Sequence, residues 1–366
     1  SSGLCLFFGI VVLHPGSESH TSGRTTSRGE DHTSLQIEVS ILVVSYNTRE
    51  MTLACLDSIE RETRATSFEV IVVDNASTDG SAAAIGDHPI RPRLFALRHN
   101  IGFARANNLA AIHARGRYVL LLNPDTVVLD RAIDRLREFA EARPQAMIWG
   151  GRTVFADGSL NPASCWARMT PWNLLCRATG LTGLLSRSSI FNAEGYGGWK
   201  RDSVREVDIV CGCFLMLPRA LWCELDGFDE RYFMYGEEAD LCLRARALGA
   251  RPAVTPNATI VHHGGASERA RVAKMIKLLA AKTTLIELHW SPRLRPLGLA
   301  LLAAWPLSRW LLRSAEAAVT RSAAATEAAQ VWKEIWQARW AWLEGYSETG
   351  ANPLDGPVLA ASGVPG

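Results

Sequence analysis

The sequence has no uninterrupted apolar run of the roughly 18–20 residues that a membrane-crossing helix needs. Its one N-terminal run, Leu4 to Leu13, is too short to span and lacks a basic segment before it, so a secretory signal is poorly supported. Charge of one sign is also missing. The formal net charge is +2, which argues against the strongly basic surface of a general nucleic-acid binder. Eight cysteines are present, but no two stand in a Cys-x-x-Cys pair, so no metal-ligand spacing of that kind exists. Cys55, Cys211, Cys213, Cys223 and Cys242 sit inside apolar segments and read as small buried residues of a reducing compartment. No internal repeat occurs. No Gly-x-Gly-x-x-Gly follows the first expected strand, which removes support for a dinucleotide fold with a backbone phosphate cradle.

What is present is ample core material: 48% hydrophobic against 21% charged residues in a chain of 366 reads as globular. Residues 1–37 are expected to be a disordered leader, because 14–37 is rich in Ser, Thr, Gly, His and charge. From Val39 onward strands and helices alternate. Strands are predicted at 39–45, 68–74, 94–97 and 118–122, and helices at 48–62, 79–85, 103–114 and 130–142. Short connections between them predict a mostly parallel α/β sheet covered by helices on both faces. Residues 150–206 read as loops with one hairpin and one helix. Further elements follow: a strand over 207–217, helices over 219–225 and 237–248, and short strands at 253–255 and 259–261. The domain so outlined runs from 38 to 268.

Ligands of such sheets bind beyond the carboxyl ends of the strands. Polar residues cluster there: Ser45-Tyr46-Asn47, Asp74-Asn75-Ala76-Ser77 and Asn123-Pro124-Asp125. Pro124 stops the ladder and leaves Asp125 in the open cleft, where a carboxylate suits a divalent ion; the same tripeptide also suits an ordinary turn. Asp74 closes a buried strand and can accept from a base or ribose, or merely add loop polarity before a helix cap. Glu237, Glu238 and Asp240 open a helix after an aromatic run. They suit the helix dipole, and burial would make them better bases. His262, after a short strand, is a candidate ligand for a metal or phosphate. Together these residues suit displacement at a carbon bearing a diphosphate: a cation for the leaving group, a carboxylate for the acceptor proton, and a pocket that orients the donor.

Eight segments, in one order over about 230 residues, resemble the family 2 glycosyltransferases of the GT-A fold, particularly their bacterial rhamnosyltransferase-like branch. They are Val43-Val-Ser-Tyr-Asn47, Val72-Val-Asp-Asn-Ala-Ser-Thr-Asp-Gly80, Asn100-Ile-Gly-Phe-Ala104 with Asn107-Asn108, Leu121-Leu-Asn-Pro-Asp-Thr126, Val210-Cys-Gly-Cys213, Gly227-Phe-Asp-Glu-Arg231, Tyr235-Gly-Glu-Glu-Ala-Asp-Leu-Cys-Leu-Arg244 and Val261-His-His263. The resemblance implies a nucleoside-diphosphate sugar donor, a Mg2+ or Mn2+ cofactor, inversion by single displacement, and a glycan or lipid-linked saccharide as acceptor in cell-surface polysaccharide synthesis. Rhamnose is the sugar the branch suggests.

Residue roles follow from the same resemblance. Ser45, Asn47 and Asp74 would line the nucleoside pocket, supported by Asn75, Ser77 and Asp79. Asn123 would begin the segment standing in the family's DxD place, with Asp125 on the metal and His262 facing metal and diphosphate. Gly212 and Asp229 would lie on the acceptor side. Where the branch usually places the Asp of a Glu-Asp pair as base, this sequence has Glu238. Its extra methylene moves the oxygens by about 1 Å, so Glu237 or Asp240 is an alternative base. Two other readings stay open: a nucleotidyltransferase on a related sheet, and a non-catalytic binding or scaffold module.

Residues 269–346 read as a basic amphipathic helical extension. From Glu268 to Arg313 nine Lys/Arg stand against two acids, and seven of the twelve Trp fall between 290 and 342. Val272, Met275, Ile276, Leu279, Ile286 and Trp290 form one expected apolar stripe. Trp332, Ile335, Trp336, Trp340 and Leu343 form another. Basic helices with Trp suit an anionic membrane surface, which would place the protein peripherally on the cytoplasmic face of a bacterial inner membrane. Packing against the catalytic domain, or a dimer contact, would explain the same stripes. Residues 347–366 are expected to be a disordered tail.

Overall fold

Strand β1 (Val39–Ser45) is buried at every position, as a strand covered on both faces must be. In the computed structural model, which describes residues 36–264 and 271–354, it lies near the middle of the main sheet. Leu4–Leu13, most of the expected leader, residues 265–268 of the expected domain and the last part of the expected tail lie outside the described residues.

Helix α1 (Arg49–Glu62) follows β1 and buries Leu56 and Ile59 on one face. Then come β2 (Phe68–Asp74), α2 (Ser81–Gly86), β3 (Arg93–Ala96), α3 (Phe103–Ile112) and β4 (Tyr118–Leu122). β1 runs parallel to β2 and to β4, and β2 parallel to β3. These four strands were legible because each is a short β-branched or Leu-rich run. β5 (Thr126–Val128) was not foreseen. It is only three residues long and begins directly after Asn123-Pro124-Asp125.

Helix α4 (Ala132–Ala142) leads to β6 (Trp149–Val154), which pairs with β7 (Leu160–Asn161) as the expected hairpin. Strand β8 (Cys165–Trp166) and helices α5 (Pro171–Thr179) and α6 (Leu181–Leu184) complete most of the insertion. Thr170 caps α5 by accepting from Asn173 N, Pro171 occupies its first turn, and Gly180 ends it at φ 88°. These are the signals that start and stop a helix.

The strand expected over 207–217 is two. β10 (Ile209–Val210), preceded by β9 (Arg205–Glu206), pairs with β8 in a separate small sheet. β11 (Phe214–Pro218) enters the main sheet antiparallel to β4 and β6. The chain changes sheets across Cys211-Gly212-Cys213. Helices α7 (Arg219–Glu224) and α8 (Glu237–Ala247) precede β12 (Ala253–His262). That strand joins the two short ones expected, and its register shifts between Val254 and Thr259, around Pro256. The main sheet runs β3-β2-β1-β4-β11-β6-β12-β5, with its first half all parallel.

Four helices close the described chain: α9 (Arg271–His289), α10 (Arg295–Thr320), α11 (Ala323–Gln337) and α12 (Arg339–Leu343). None of the described helices is long and apolar enough to cross a membrane. Ile276, Leu279 and Ile286 of α9, Leu302 and Trp305 of α10, and Ile335 and Trp342 beyond share one apolar core with Leu121, Val210 and Leu241. The stripe expected to face a membrane therefore turns largely inward, and of its second half Trp340 is the large side chain left exposed. Burial of aromatic surface against the sheet's helices is worth more than leaving it wet.

Candidate functional site

The parallel register sets the ends of β1, β2 and β4 on one edge of the sheet, Ser45 opposite Asp74. Two loops meet there and tie together through side chains. Asn47 N donates to Ser77 Oγ at 2.9 Å, Thr78 N to Asn47 Oδ1 at 2.8 Å, and Arg49 N to Asp79 Oδ2 at 3.0 Å. Asn47 and Ala76 take positive φ, which only a locked turn sustains in such residues. Ser77 N donates to Asp74 Oδ1, whereas the buried Asp74 Oδ2 has no partner among the described residues. Ser45 Oγ is engaged with Thr48 and Thr52.

Asn75 is buried and works as a clamp. Its Nδ2 donates to Asn100 Oδ1 and Gly102 O, and its Oδ1 accepts from Ile101 N. Gly102 has φ 86°, and a Cβ there would stand 2.6 Å from Phe233 O. The loop before α3 is thereby seated on the segment that leads to α8.

A cavity of about 440 Å³ opens among these parts, lined by Asn75, Asn123, Asp125, Gly212, Glu237, Glu238 and His262. Of the expected nucleoside residues, Asn75 and Asn123 reach its wall. Ser45, Asn47, Asp74, Ser77 and Asp79 stand behind it, while Tyr46 lines it.

The Asp125–His262 pair is built by the sheet. β12 pairs with β5 so that His262 is opposite Thr126, and His263 N donates to Asp125 O at 3.1 Å. His262 Nε2 then lies 3.4 Å from Asp125 Oδ1 and 3.5 Å from Asn123 Nδ2. Burial alone would raise the Asp125 carboxyl, but the His262 hydrogen bond and charge overcome it and hold the group below the usual range. For His262 burial would lower the pKa, and the Asp125 hydrogen bond with the Cys211 and Asp125 charges raises it instead. His262 Nδ1 and Asn123 Oδ1 are buried without partners among the described residues.

The opposite wall carries the carboxylate pair. α8 starts behind the left-handed turn Tyr235-Gly236, so Glu237 and Glu238 fall in its first turn and project into the cavity. Gly212, at the break between β10 and β11, lies against Glu238; a Cβ on it would be 3.6 Å from the Glu238 Cβ. Burial, then the Glu238 charge, push Glu237 well above the carboxylate range. Burial also raises Glu238, but the backbone N–H groups of Glu238, Gly236, Ala239 and Gly212 favour its charged form.

Besides Ser45, Asn47, Asp74, Ser77 and Asp79, two more expected residues are not in the cavity wall. Asp240, an alternative base from the sequence, is held by Arg244 Nε at 2.7 Å and His289 Nε2 at 2.8 Å. Being two positions after Glu238 on a helix, it points to another face. Asp229 is engaged with Arg231. In turn, the cavity has wall residues that the sequence did not single out: Trp166 from the insertion, Phe233 and Met234 before α8, and Lys274 of α9. No local signal marks Lys274, since only the packing of α9 on α8 brings it there.

Among the described residues no group of three or more His, Cys, Asp or Glu is gathered as a metal cage. Asp125 and His262 offer one oxygen and one nitrogen. That fits a cation completing its shell from a diphosphate and water, as Mg2+ commonly does.

Residues 40–208 match the model of glycosyl transferase family 2. Over that stretch the chain is similar to glycosyl transferase family 2. Proteins similar to this chain include the O-antigen biosynthesis protein RfbC of Myxococcus xanthus, 31% identical over 240 residues, or 64% of this chain and 18% of that protein. An N-acetylglucosaminyl-diphospho-decaprenol L-rhamnosyltransferase of Mycobacterium tuberculosis is 29% identical over 206 residues, covering 53% of this chain and 66% of that one. The matched part thus spans less than two thirds of each. Among solved structures, mannosyltransferase PcManGT of Pyrobaculum calidifontis, in complex with GDP-Man and Mn2+, superposes with TM-score 0.50 at 19% identity over 82% of this chain and 86% of that chain. GalNAc-T7, solved with UDP, GalNAc and Mn2+, gives TM-score 0.51 at 14% identity over 75% and 52%. The chain has the GT-A fold, a mixed α/β sheet with C-terminal helices added.

Proposed function

We propose that this protein transfers a sugar from a nucleoside-diphosphate donor to a hydroxyl of a glycan or lipid-linked saccharide, with inversion at the anomeric carbon. The observation that carries the reading is one cavity holding the Asp125–His262 pair on one wall and the Glu237–Glu238 pair on the other. The buried, unpartnered His262 Nδ1 and Asn123 Oδ1, both on residues of the cavity wall, support it, because a buried polar atom without a partner is costly.

In this reading Glu238 takes the proton of the acceptor hydroxyl as its oxygen bonds to the anomeric carbon and the bond to the diphosphate breaks. Gly212 keeps that approach free of a side chain. Glu237 stays protonated beside it and can donate a hydrogen bond to the acceptor. Asp125 and His262 would hold a Mg2+ or Mn2+ ion, which would supply positive charge to neutralise the leaving diphosphate. Lys274 adds a flexible cation at the rim. Asn123 orients His262 through their contact. The tied loops at Asn47, Ser77 and Asp79 fix the nucleoside wall, and Asp74 accepts from base or ribose.

An L-rhamnosyltransferase and an O-antigen biosynthesis protein among the similar proteins favour rhamnose as the sugar and cell-surface polysaccharide as the product. A lipid-linked acceptor places the protein at the cytoplasmic face of a bacterial membrane as a peripheral protein.

A panel of nucleoside-diphosphate sugars tests this. Each is scored by thermal shift and then by release of nucleoside diphosphate with Mn2+, with Mg2+ and with EDTA. At least one should stabilise the fold by mass action and turn over only with a cation. Absence of both effects across the panel would overturn the assignment.

A further inference from the structure

Five of the exposed large apolar side chains fall within one stretch of nineteen residues. Leu184 is 80% exposed and Ile190 62%, joined by Trp172, Leu175 and Leu185. All five lie in the insertion between β6 and β10, on α5, α6 and the loop after them. Trp172 and Leu175 share a face of α5, being three residues apart. Trp172 Nε1 donates to Ile190 O at 2.9 Å, and its ring meets that of Phe191, so the loop is fastened to α5. The cluster is a built protrusion, and several large apolar residues together on a surface mark an interaction site.

The chemistry around it indicates the partner. From Thr170 to Ala193 the sequence contains Arg177 and Arg187 and no carboxylate. α10 crosses behind α5, where Arg309 donates to Arg177 O at 2.8 Å and Ser308 Oγ to Ala178 O at 2.6 Å. Arg309 and Arg313 thus crowd Arg177, closely enough that burial and the two neighbouring charges lower the Arg309 pKa. Glu194 is buried between Arg177 and Lys282 and Glu316 is paired with Arg313, so four cations (Arg177, Arg309, Arg313 and Lys282) face two acids and the excess here is positive. One turn beyond Arg309 on α10, Leu312 adds another exposed apolar side chain at 58%.

We propose that this protrusion, Trp172, Leu175, Leu184, Leu185 and Ile190 with the arginines behind it, docks the protein on an anionic lipid bilayer surface. Apolar tips enter the headgroup boundary while cations meet the negative headgroups. Charge complementarity distinguishes this occupant from a second copy of the chain, whose own patch would carry the same positive charge. The same insertion lines the cavity through Trp166. This deepens the glycosyl-transfer reading, and rests on it only for the acceptor's being lipid-linked.

Flotation of the full chain with vesicles tests it without requiring turnover. Wild type should float with vesicles containing phosphatidylglycerol, weakly with pure phosphatidylcholine, and less in high salt. The double variant Leu184→Glu, Ile190→Glu should bind anionic vesicles roughly tenfold or more weaker, with unchanged melting and unchanged release of nucleoside diphosphate in solution. Trp340→Glu, on the Trp-bearing terminal helices, should bind as wild type. Undiminished flotation of the double variant would overturn the proposal, as would equal binding to neutral vesicles. Loss through Trp340→Glu alone would also overturn it, and so would a double variant whose only change is a lost dimer in light scattering. Failure of glycosyl transfer with intact flotation would instead sink the enzymatic reading and leave the docking surface standing.

Discussion

His262 stands opposite Thr126 in the β12–β5 ladder, and this register brings its Nε2 to 3.4 Å from Asp125 Oδ1. The pair is therefore a property of sheet topology. β5 is the strand that turns Asp125 toward β12, and Pro124 is what lets the chain leave β4 at that point.

Asp125→Asn should leave the fold intact, since the amide keeps the shape and one acceptor. It removes the negative charge that a cation needs, so cation-dependent turnover should fall by about 10- to 100-fold or more. His262→Ala should cost a similar factor. The double variant should lose much less than the product of the two, because both act on one ion. Initial rates at saturating Mn2+ check this.

Glu238→Gln should lower kcat by roughly 10²–10⁴-fold with donor affinity little changed, the usual cost of removing a general base. Glu237→Gln should stay within a few-fold of wild type, as it copies the neutral acid. The base must be ionised, and burial raises Glu238. Turnover should thus rise with pH through a limb that lies above the ordinary carboxylate range. A kcat/KM profile that is flat across that region would refute the assignment.

Part of the cavity's lining was legible beforehand, and the reason is physical. Strands 39–45, 68–74 and 118–122 are apolar runs that end abruptly on polar residues, so the strand ends could be placed and Asp74 and Asp125 with them. The break at Cys211-Gly212-Cys213 was not legible, because the run from Val207 to Leu217 stays apolar through the change of sheet. β6 begins Trp149-Gly150-Gly151, and paired glycines read as irregular. In the fold a side chain on Gly151 would run into the Phe214 ring and the Ala258 carbonyl. Asp240 was drawn into the site by its position in a row of acids, whereas one helical step sends it to Arg244 and His289. Lys274 depends on how α9 docks, which no local pattern encodes.

Glu194 joins the insertion to α9 through Arg177 at 2.8 Å and Lys282 at 2.7 Å. Burial would raise its carboxyl, but the Lys282 and Arg177 charges win and bring it down from 4.5 to about 2. A depressed carboxyl stabilises the fold above its unfolded value and loses that contribution as pH falls toward its folded value. The window is therefore between pH 4.5 and about 2, and the amount at stake is on the order of 3 kcal/mol. Melting curves from pH 6 downward should show a steeper loss in wild type than in Glu194→Gln, which begins lower but changes less. Parallel curves would contradict the buried triad.

Gly102→Ala should destabilise the protein by about 2 kcal/mol or more. The residue sits at φ 86° and ψ 169°, and its added Cβ would meet the Phe233 carbonyl. Denaturant midpoints measure the loss, and donor affinity should weaken as the wall formed by Asn75 and Phe233 shifts.

The most direct test of the central claim separates donor binding from chemistry. Calorimetric titration of the turned-over nucleoside-diphosphate sugar in the presence of Mn2+, beside turnover of the same donor, would be done on wild type, Asp125→Asn and Glu238→Gln. The account predicts that Asp125→Asn loses cation-dependent donor binding, while Glu238→Gln binds donor as wild type does and fails to transfer it. Full transfer by Glu238→Gln, or unchanged cation-dependent binding by Asp125→Asn, would contradict it.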